Sequence, residues 1–253
     1  MHYVYVTIGK HFTWEAQLSA KSIKLNTTNS HTTLYTDTPP KHTKHFNKII
    51  PIPPPTTETP EHHAKIQRIT CLLNHREHHY IHLDADTYIA HDPTHIFNTP
   101  FHIASTLTTW RQTHHNYVPG VLAINHTQET QELFKNWLHD YANSNDTKDQ
   151  YHFDKHIRKT NHHQLPPELC TQVGDFCQIS GKVYITHRHW ENEYLNAIIP
   201  AVLINQTTDN RVWIPNEQRM ISSKPWTLEN GIEYTNYYIT QEHRNYLKEF
   251  LKD

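Results

Sequence analysis

The sequence predicts a single α/β domain built on a mixed, mainly parallel central sheet flanked by helices. Three observations predict it. The 253 residues lie near the upper end of what one hydrophobic core organises. Apolar strand-like runs alternate with helical-period runs through the first third of the chain, the pattern of strands joined by right-handed helical crossovers. The last strand of that series ends on Asp84-Ala85-Asp86, and ligands of such sheets gather at the carboxyl ends of the strands.

Tyr3 to Ile8 is apolar and β-branched, a first strand. Thr13 has the chemistry of a helix cap, and Trp14, Leu18 and Leu25 fall on one face of the helix that would follow. Thr33 to Thr36 resumes a strand and Thr38-Pro39-Pro40 turns the chain. Ile49 to Ile52 is a short apolar run closed by Pro53-Pro54-Pro55, which neither a helix nor a central strand admits. Thr59-Pro60-Glu61 has the order of N-cap, N1 proline and acidic first turn, so a helix is expected from Pro60 to Arg76 with Ile66, Ile69 and Leu73 inward. Tyr80 to Leu83 forms a buried strand. Phe101 to Ser105 and Tyr117 to Asn125 read as further strands. A helix capped by Thr127 sets Leu133, Phe134, Trp137, Leu138 and Tyr141 on one face. Asn143 to Gln172 is polar and reads as irregular, and a last helix is expected near Gln241 to Leu251.

Lys and Arg number 23 against 25 Asp and Glu, a net charge of -2 that offers no basic footprint for nucleic acid or an anionic membrane surface. Cys71, Cys170 and Cys177 are an odd set without a CxxC pair, which fits a reducing compartment. The start MHYVYVTIGK has no basic stretch leading into a long apolar one, and no run approaches the roughly 20 apolar residues of a membrane helix. A cytoplasmic protein without a membrane span is expected. The 25 histidines, with doublets such as His78-His79 and His162-His163, accompany heavy use of Thr, Asn, Gln and Pro and only 5 glycines. Codons rich in A and C account for that whole set, so an individual histidine reads as a solvated side chain before it reads as a ligand.

Asp84 and Asp86 stand two apart at the end of an extended segment, where alternate side chains point the same way. Two carboxylates converging on one point need a cation, and oxygen ligation suits Mg²⁺ or Mn²⁺, which can bridge to a diphosphate and neutralise it as a leaving group. The bare spacing also fits a pair of turn aspartates. Its context separates the two readings: YVTIGKHFTWEAQLSAKSIKLN, then a helix, then HYIHLDADTYIAHDPTHIFN resembles glycosyltransferase family 8, glycogenin and the lipopolysaccharide galactosyltransferases included, over roughly the first hundred residues.

That resemblance implies a GT-A, Rossmann-like fold, a UDP-sugar donor, Mn²⁺ or Mg²⁺, and retention of the donor's anomeric configuration. Residues 1–105 would bind the nucleotide sugar and 106–253 would form the acceptor side and the C-terminal part. By the same resemblance Asp84 and Asp86 are metal ligands, Asp84 also reaching the ribose with Ala85 between them at the donor. Thr7 and Ile8 line the nucleoside, with Asp37 beside them. Arg68 takes the place of the family's basic residue on the helix before the D-x-D motif, with Lys65 one turn earlier; either would hold the diphosphate. YVPGVLAIN is similar to the family segment NAGVLLIN, with Val118 and Pro119 replacing its Asn-Ala. Asp149-Gln150 resembles the Asp-Gln pair beside the anomeric carbon, the carboxylate orienting the donor sugar and the amide lying beneath the reacting face. Lys224-Pro225-Trp226 matches a Lys-Pro-Trp whose lysine binds the diphosphate. The family's histidine metal ligand is absent from its usual place, which here is Gln218, or Asn205 by the alignment of Ile199 to Leu203; His187 and His189 are the candidates to replace it.

Three rivals remain at this level. A sugar nucleotidyltransferase would show a glycine-rich basic loop after the first strand, where only Gly9-Lys10 stands. A catalytically silent sugar-nucleotide-binding protein would fit the displaced histidine and the Val118-Pro119 change. An enzyme glycosylating modified DNA bases would need a basic groove that this composition does not offer. Acceptor loops fall at Thr106 to Tyr117 and Asn143 to Val173, the stretches the family varies most, so the resemblance names neither acceptor nor donor sugar.

Overall fold

The computed structural model describes residues 1–55, 59–107, 116–171 and 182–187, Ile198, the backbone of three strands within 211–238, and Gln241 and Asn245. Seven strands form the central sheet: β1 (His2–Thr7), β2 (His31–Thr36), β3 (Lys48–Pro51), β4 (His79–Leu83), β6 (Ile103–Leu107), β7 (Tyr117–Asn125) and β8 (His162–Leu165). Their order is β3-β2-β1-β4-β7-β6-β8. The pairs β3/β2, β2/β1, β1/β4 and β6/β8 are parallel, and β7 runs antiparallel to both neighbours, so the sheet is mixed and mainly parallel as expected. Outside it, β5 (Thr87–Ile89) pairs antiparallel with β9 (Ile185–His187), and β10 (Arg211–Ile214), β11 (Arg219–Ser222) and β12 (Thr235–Tyr238) make a three-stranded antiparallel ladder.

Side-chain alternation divides the core into two layers. Tyr3 and Tyr5 of β1, with Ile81 and Leu83 of β4, face helix α1 (Lys10–Asn26) and join its Ala16, Ala20 and Ile23. Val4 and Tyr80 face the other way, toward Ile69 and Leu72 of α2 (Pro60–Asn74) and Leu133, Phe134, Trp137 and Tyr141 of α3 (Gln128–Ala142). Of the inward set expected for α2, Ile69 is buried while Ile66 and Leu73 pack half-buried beside Leu72, and the apolar face of α3 holds. Thr127 caps α3 through a full capping box with Thr130, each side chain receiving the other's backbone N–H.

Two expectations fail for physical reasons. Thr13 does not cap α1. The helix begins four residues earlier behind Gly9, whose φ of 92° is a left-handed conformation that glycine takes without strain. Thr13 is instead buried, its Oγ1 bonded to Thr7 Oγ1 (3.0 Å) and Thr36 Oγ1 (2.8 Å). The inward face is then the small-residue stripe Ala16, Ser19, Ala20, Ile23, which lets the helix lie close to the sheet, while Trp14 (45%) and Leu25 (62%) are exposed. The stretch 143–172 is not irregular either: it holds α4 (Gln150–Ile157), which buries Phe153 and Ile157, and the edge strand β8. Its polar composition hid an amphipathic helix of two turns. The helix expected over 241–251 lies outside the described residues except for Gln241 and Asn245.

Candidate metal and donor site

A cavity of about 580 Å³ opens at the carboxyl ends of β1 and β4, the place where such sheets collect ligands. Thr7, Ile8, Lys65, Arg68, Asp84, Ala85, Asp86, Val118, Pro119, Asp149, Gln150 and His187, all singled out in the sequence, line it, joined by Phe12, Gly120 and Lys148. Asp37, also singled out, does not line it; its Oδ1 accepts from the Gly9 N–H at 2.7 Å. Lys224, His189, Asn205 and Gln218 lie outside the described residues.

The turn that presents the two aspartates is anchored from below. Asp84 N–H donates to the Gly120 carbonyl at 2.8 Å and its carbonyl accepts from Thr87 Oγ1 at 2.9 Å. Thr87 Oγ1 in turn meets Ser19 Oγ, which meets Tyr5 Oη, each at 2.8 Å, a buried hydroxyl chain from the core to the motif. β9 brings His187 to the same point. The β5/β9 ladder pairs Thr87 with His187, and His187 N–H donates to the Thr171 carbonyl at 2.9 Å. His187 Nε2 then lies 3.5 Å from Asp84 Oδ2 and 3.3 Å from Asp86 Oδ1. Ligand atoms of all three residues fall within 4.8 Å of one another, a set that can close on a single ion.

Gly120 makes room for that imidazole. A Cβ there would stand 2.2 Å from His187 Cε1, so the backbone of β7 abuts the ring with only a hydrogen between. Two carboxylates and one imidazole around a space reserved in this way fit a divalent ion; the carboxylates favour Mg²⁺ or Mn²⁺, and the imidazole favours a transition metal.

Arg68 ties this cluster to the second motif. Its Nη1 donates to Asp84 Oδ1 at 3.1 Å and its Nη2 to Asp149 Oδ2, while the guanidinium lies over the Trp137 ring at 5.9 Å. Trp137 Nε1 donates to the Asp149 carbonyl at 3.1 Å, fixing the backbone where α4 begins. Burial alone would raise the Asp84 carboxyl, but Arg68, then His82 and His187, hold it below the usual carboxylate range. Burial likewise opposes the charge on Arg68, and Asp149 and Asp84 overcome it, raising the guanidinium further. His187 is raised well above its ordinary value because the Asp86 carboxylate outweighs the burial that opposes it. Lys65 reaches along the rim to the Thr147 carbonyl.

His82 was not singled out in the sequence. It is buried beneath Asp84, with Nδ1 donating to the Val4 carbonyl at 3.1 Å and Nε2 3.5 Å from Asp84 Oδ1. Among 25 histidines no feature of the sequence alone marks it out.

No protein-family model matches the chain, and no curated protein matches its sequence. Solved structures do match its shape. The apo form of the glycosyltransferase GlyE from Streptococcus pneumoniae TIGR4 aligns over 100% of this chain and 60% of its own, with a TM-score of 0.62 and 12% identity. A second GlyE crystal structure aligns over 66% of this chain and 45% of its own at a TM-score of 0.50 and 15% identity. The galactosyltransferase LgtC, crystallised with donor and acceptor sugar analogues, aligns over 76% of this chain and 88% of its own at a TM-score of 0.56 and 11% identity. The chain therefore spans between 45% and 60% of the length of the GlyE structures. At these identities the likeness establishes the architecture, and with the sheet order above it identifies the fold as the α/β GT-A fold of glycosyltransferases.

Proposed function

We propose that this chain is a family 8-type glycosyltransferase that moves a hexosyl group from a UDP-sugar to an acceptor hydroxyl, with Mn²⁺ or Mg²⁺ at Asp84, Asp86 and His187. The observation that carries the reading is the convergence of those three side chains on one wall of the cavity at the sheet's carboxyl edge. A bound divalent ion supplies positive charge to the diphosphate as it departs. The protein's own residues do the rest by placement. Thr7 and Ile8 border the nucleoside end of the cavity. Asp84 and Asp86 offer hard oxygen donors and His187 its Nε2. Arg68 holds Asp84 and Asp149 in a fixed relation, so that Asp149 and the adjacent Gln150 face the donor sugar in one orientation. Lys65, and Lys224 by the family resemblance, balance the diphosphate charge. A carboxylate engaged by a guanidinium orients better than it attacks, which favours same-face transfer with retention over a covalent intermediate.

The test is UDP release from a panel of UDP-sugars, with and without Mn²⁺, alongside Asp86→Ala. Metal-dependent release from one donor, lost in the variant, is expected, and NMR of the transferred sugar would show the α or β anomer and so report retention. UDP and Mn²⁺ binding without release would leave a sugar-nucleotide-binding protein. No release together with no thermal shift by UDP and Mn²⁺ would end the proposal.

A further inference from the structure

Deepening the metal reading above, on which it rests, we infer that Cys170 is the positioning residue for the third ligand, setting the tautomer and angle of His187 from the face turned away from the metal cluster. Three observations converge on it. Cys170 Sγ lies 3.7 Å from His187 Nδ1, within hydrogen-bond range for sulfur. The cysteine is fully buried and has no disulfide partner. The opposite ring nitrogen, Nε2, is the one that faces Asp84 and Asp86.

An imidazole that ligates through Nε2 carries its proton on Nδ1, and that proton needs an acceptor. Metal-bound histidines ordinarily give it to a carboxylate, a carbonyl or water; here the group at that position is a thiol sulfur, a weak and polarisable acceptor. The sulfur is brought there by the chain on both sides. Cys170 N–H donates to the Pro167 carbonyl at 3.2 Å, and Thr171 next to it makes a parallel bridge to Thr186 and accepts from His187 N–H. Cysteine and histidine therefore sit on two segments held in register by backbone bonds. Gly120 closes the ring's remaining side at a distance no side chain permits. Burial leaves the thiol without access to oxidants, so its role is geometric.

The experiment measures Mn²⁺ binding by electron paramagnetic resonance and the visible spectrum of the Co²⁺-loaded protein for the full chain, Cys170→Val and Cys170→Ser. Valine removes the acceptor and adds about one methyl of bulk, so its melting temperature is read alongside; serine, which is slightly smaller than cysteine, restores an acceptor. The expected result is a loss of Mn²⁺ affinity on the order of tenfold or more in Cys170→Val, partial recovery in Cys170→Ser, and shifted Co²⁺ bands in both, with metal-free melting temperatures of the serine variant close to wild type. A purely structural cysteine would alter melting and leave the Co²⁺ bands in place. Wild-type Mn²⁺ binding with both variants binding equally well would overturn this inference alone. Absence of Mn²⁺ binding by the wild type would overturn the metal reading and this inference with it.

Discussion

The guanidinium of Arg68 on α2 closes an ion pair with Asp149 at the start of α4, 81 residues further along the chain. The same guanidinium bonds Asp84, so one side chain spans two carboxylates at the edge of the candidate metal cluster. Removing it leaves the nearly buried Asp149 and the partly exposed Asp84 without the guanidinium they share. Arg68→Leu is expected to cost about 3 kcal/mol by urea unfolding, and Arg68→Lys, which lacks the planar fork, to recover only part of it. A double-mutant cycle with Asp149→Asn should return a coupling energy clearly above the roughly 0.5 kcal/mol of independent sites; additive effects would contradict the bridge.

Gly120 offers a test that replaces none of the three candidate ligands. Gly120→Ala places a methyl against His187 and must displace either the ring or β7. A stability loss of about 1–3 kcal/mol is expected from overpacking, together with an Mn²⁺ affinity lowered by roughly tenfold or more. Binding equal to wild type, measured by the same resonance titration, together with an unchanged melting temperature would contradict the close approach of β7 to the His187 ring.

Acid stability should depend on two histidines far from the cavity. His2 and His75, with ring centroids 5.1 Å apart at the amino-terminal edge of the sheet, are each pushed from 6.5 to about 4, chiefly by burial. Below pH 6.5 the unfolded chain takes up protons that the folded chain refuses, so stability falls as pH drops from about 6.5 to about 4 and changes no further from these groups below that. The limit for each is roughly 3 kcal/mol, and solvent access to the pair reduces it to about 1 kcal/mol. His75→Gln should flatten the slope of unfolding free energy against pH in that window; an unchanged slope would rule the pair out.

Thr127 provides a calibration of the second layer. Its capping box with Thr130 should make Thr127→Ala cost about 1 kcal/mol in thermal unfolding, with Mn²⁺ binding untouched.

Much of this was legible in the residues because local physics and the fold agree. Pro60 starts α2, Thr127 caps α3, and β4 ends on its acid pair where expected. What was hidden depended on partners distant in sequence. α1 presents a stripe of Ala and Ser to the sheet, a face invisible to a search for large apolar residues. α4 carries only Phe153 and Ile157 on its buried side amid His, Lys and Asp. His187 stood among four alternatives, since nothing within ITHRHW says that Thr87 is its neighbour. His82 was unremarked because a histidine in a histidine-rich chain carries no signal until Asp84 is placed above it.

The pairing of β5 with β9 has a consequence for how the protein is made. At synthesis rates of ~5–20 residues per second, Asp84 and Asp86 leave the ribosome several seconds before His187. Until β9 arrives, the early part of the nascent chain can build β1, α1, β2 and α2 but holds two of the three side chains in the cluster. On the metal reading proposed above, ribosome-bound fragments ending before β9 should therefore be poor at capturing the ion, and His187 would be the last-made ligand, linking metal uptake to a chain translated past its middle.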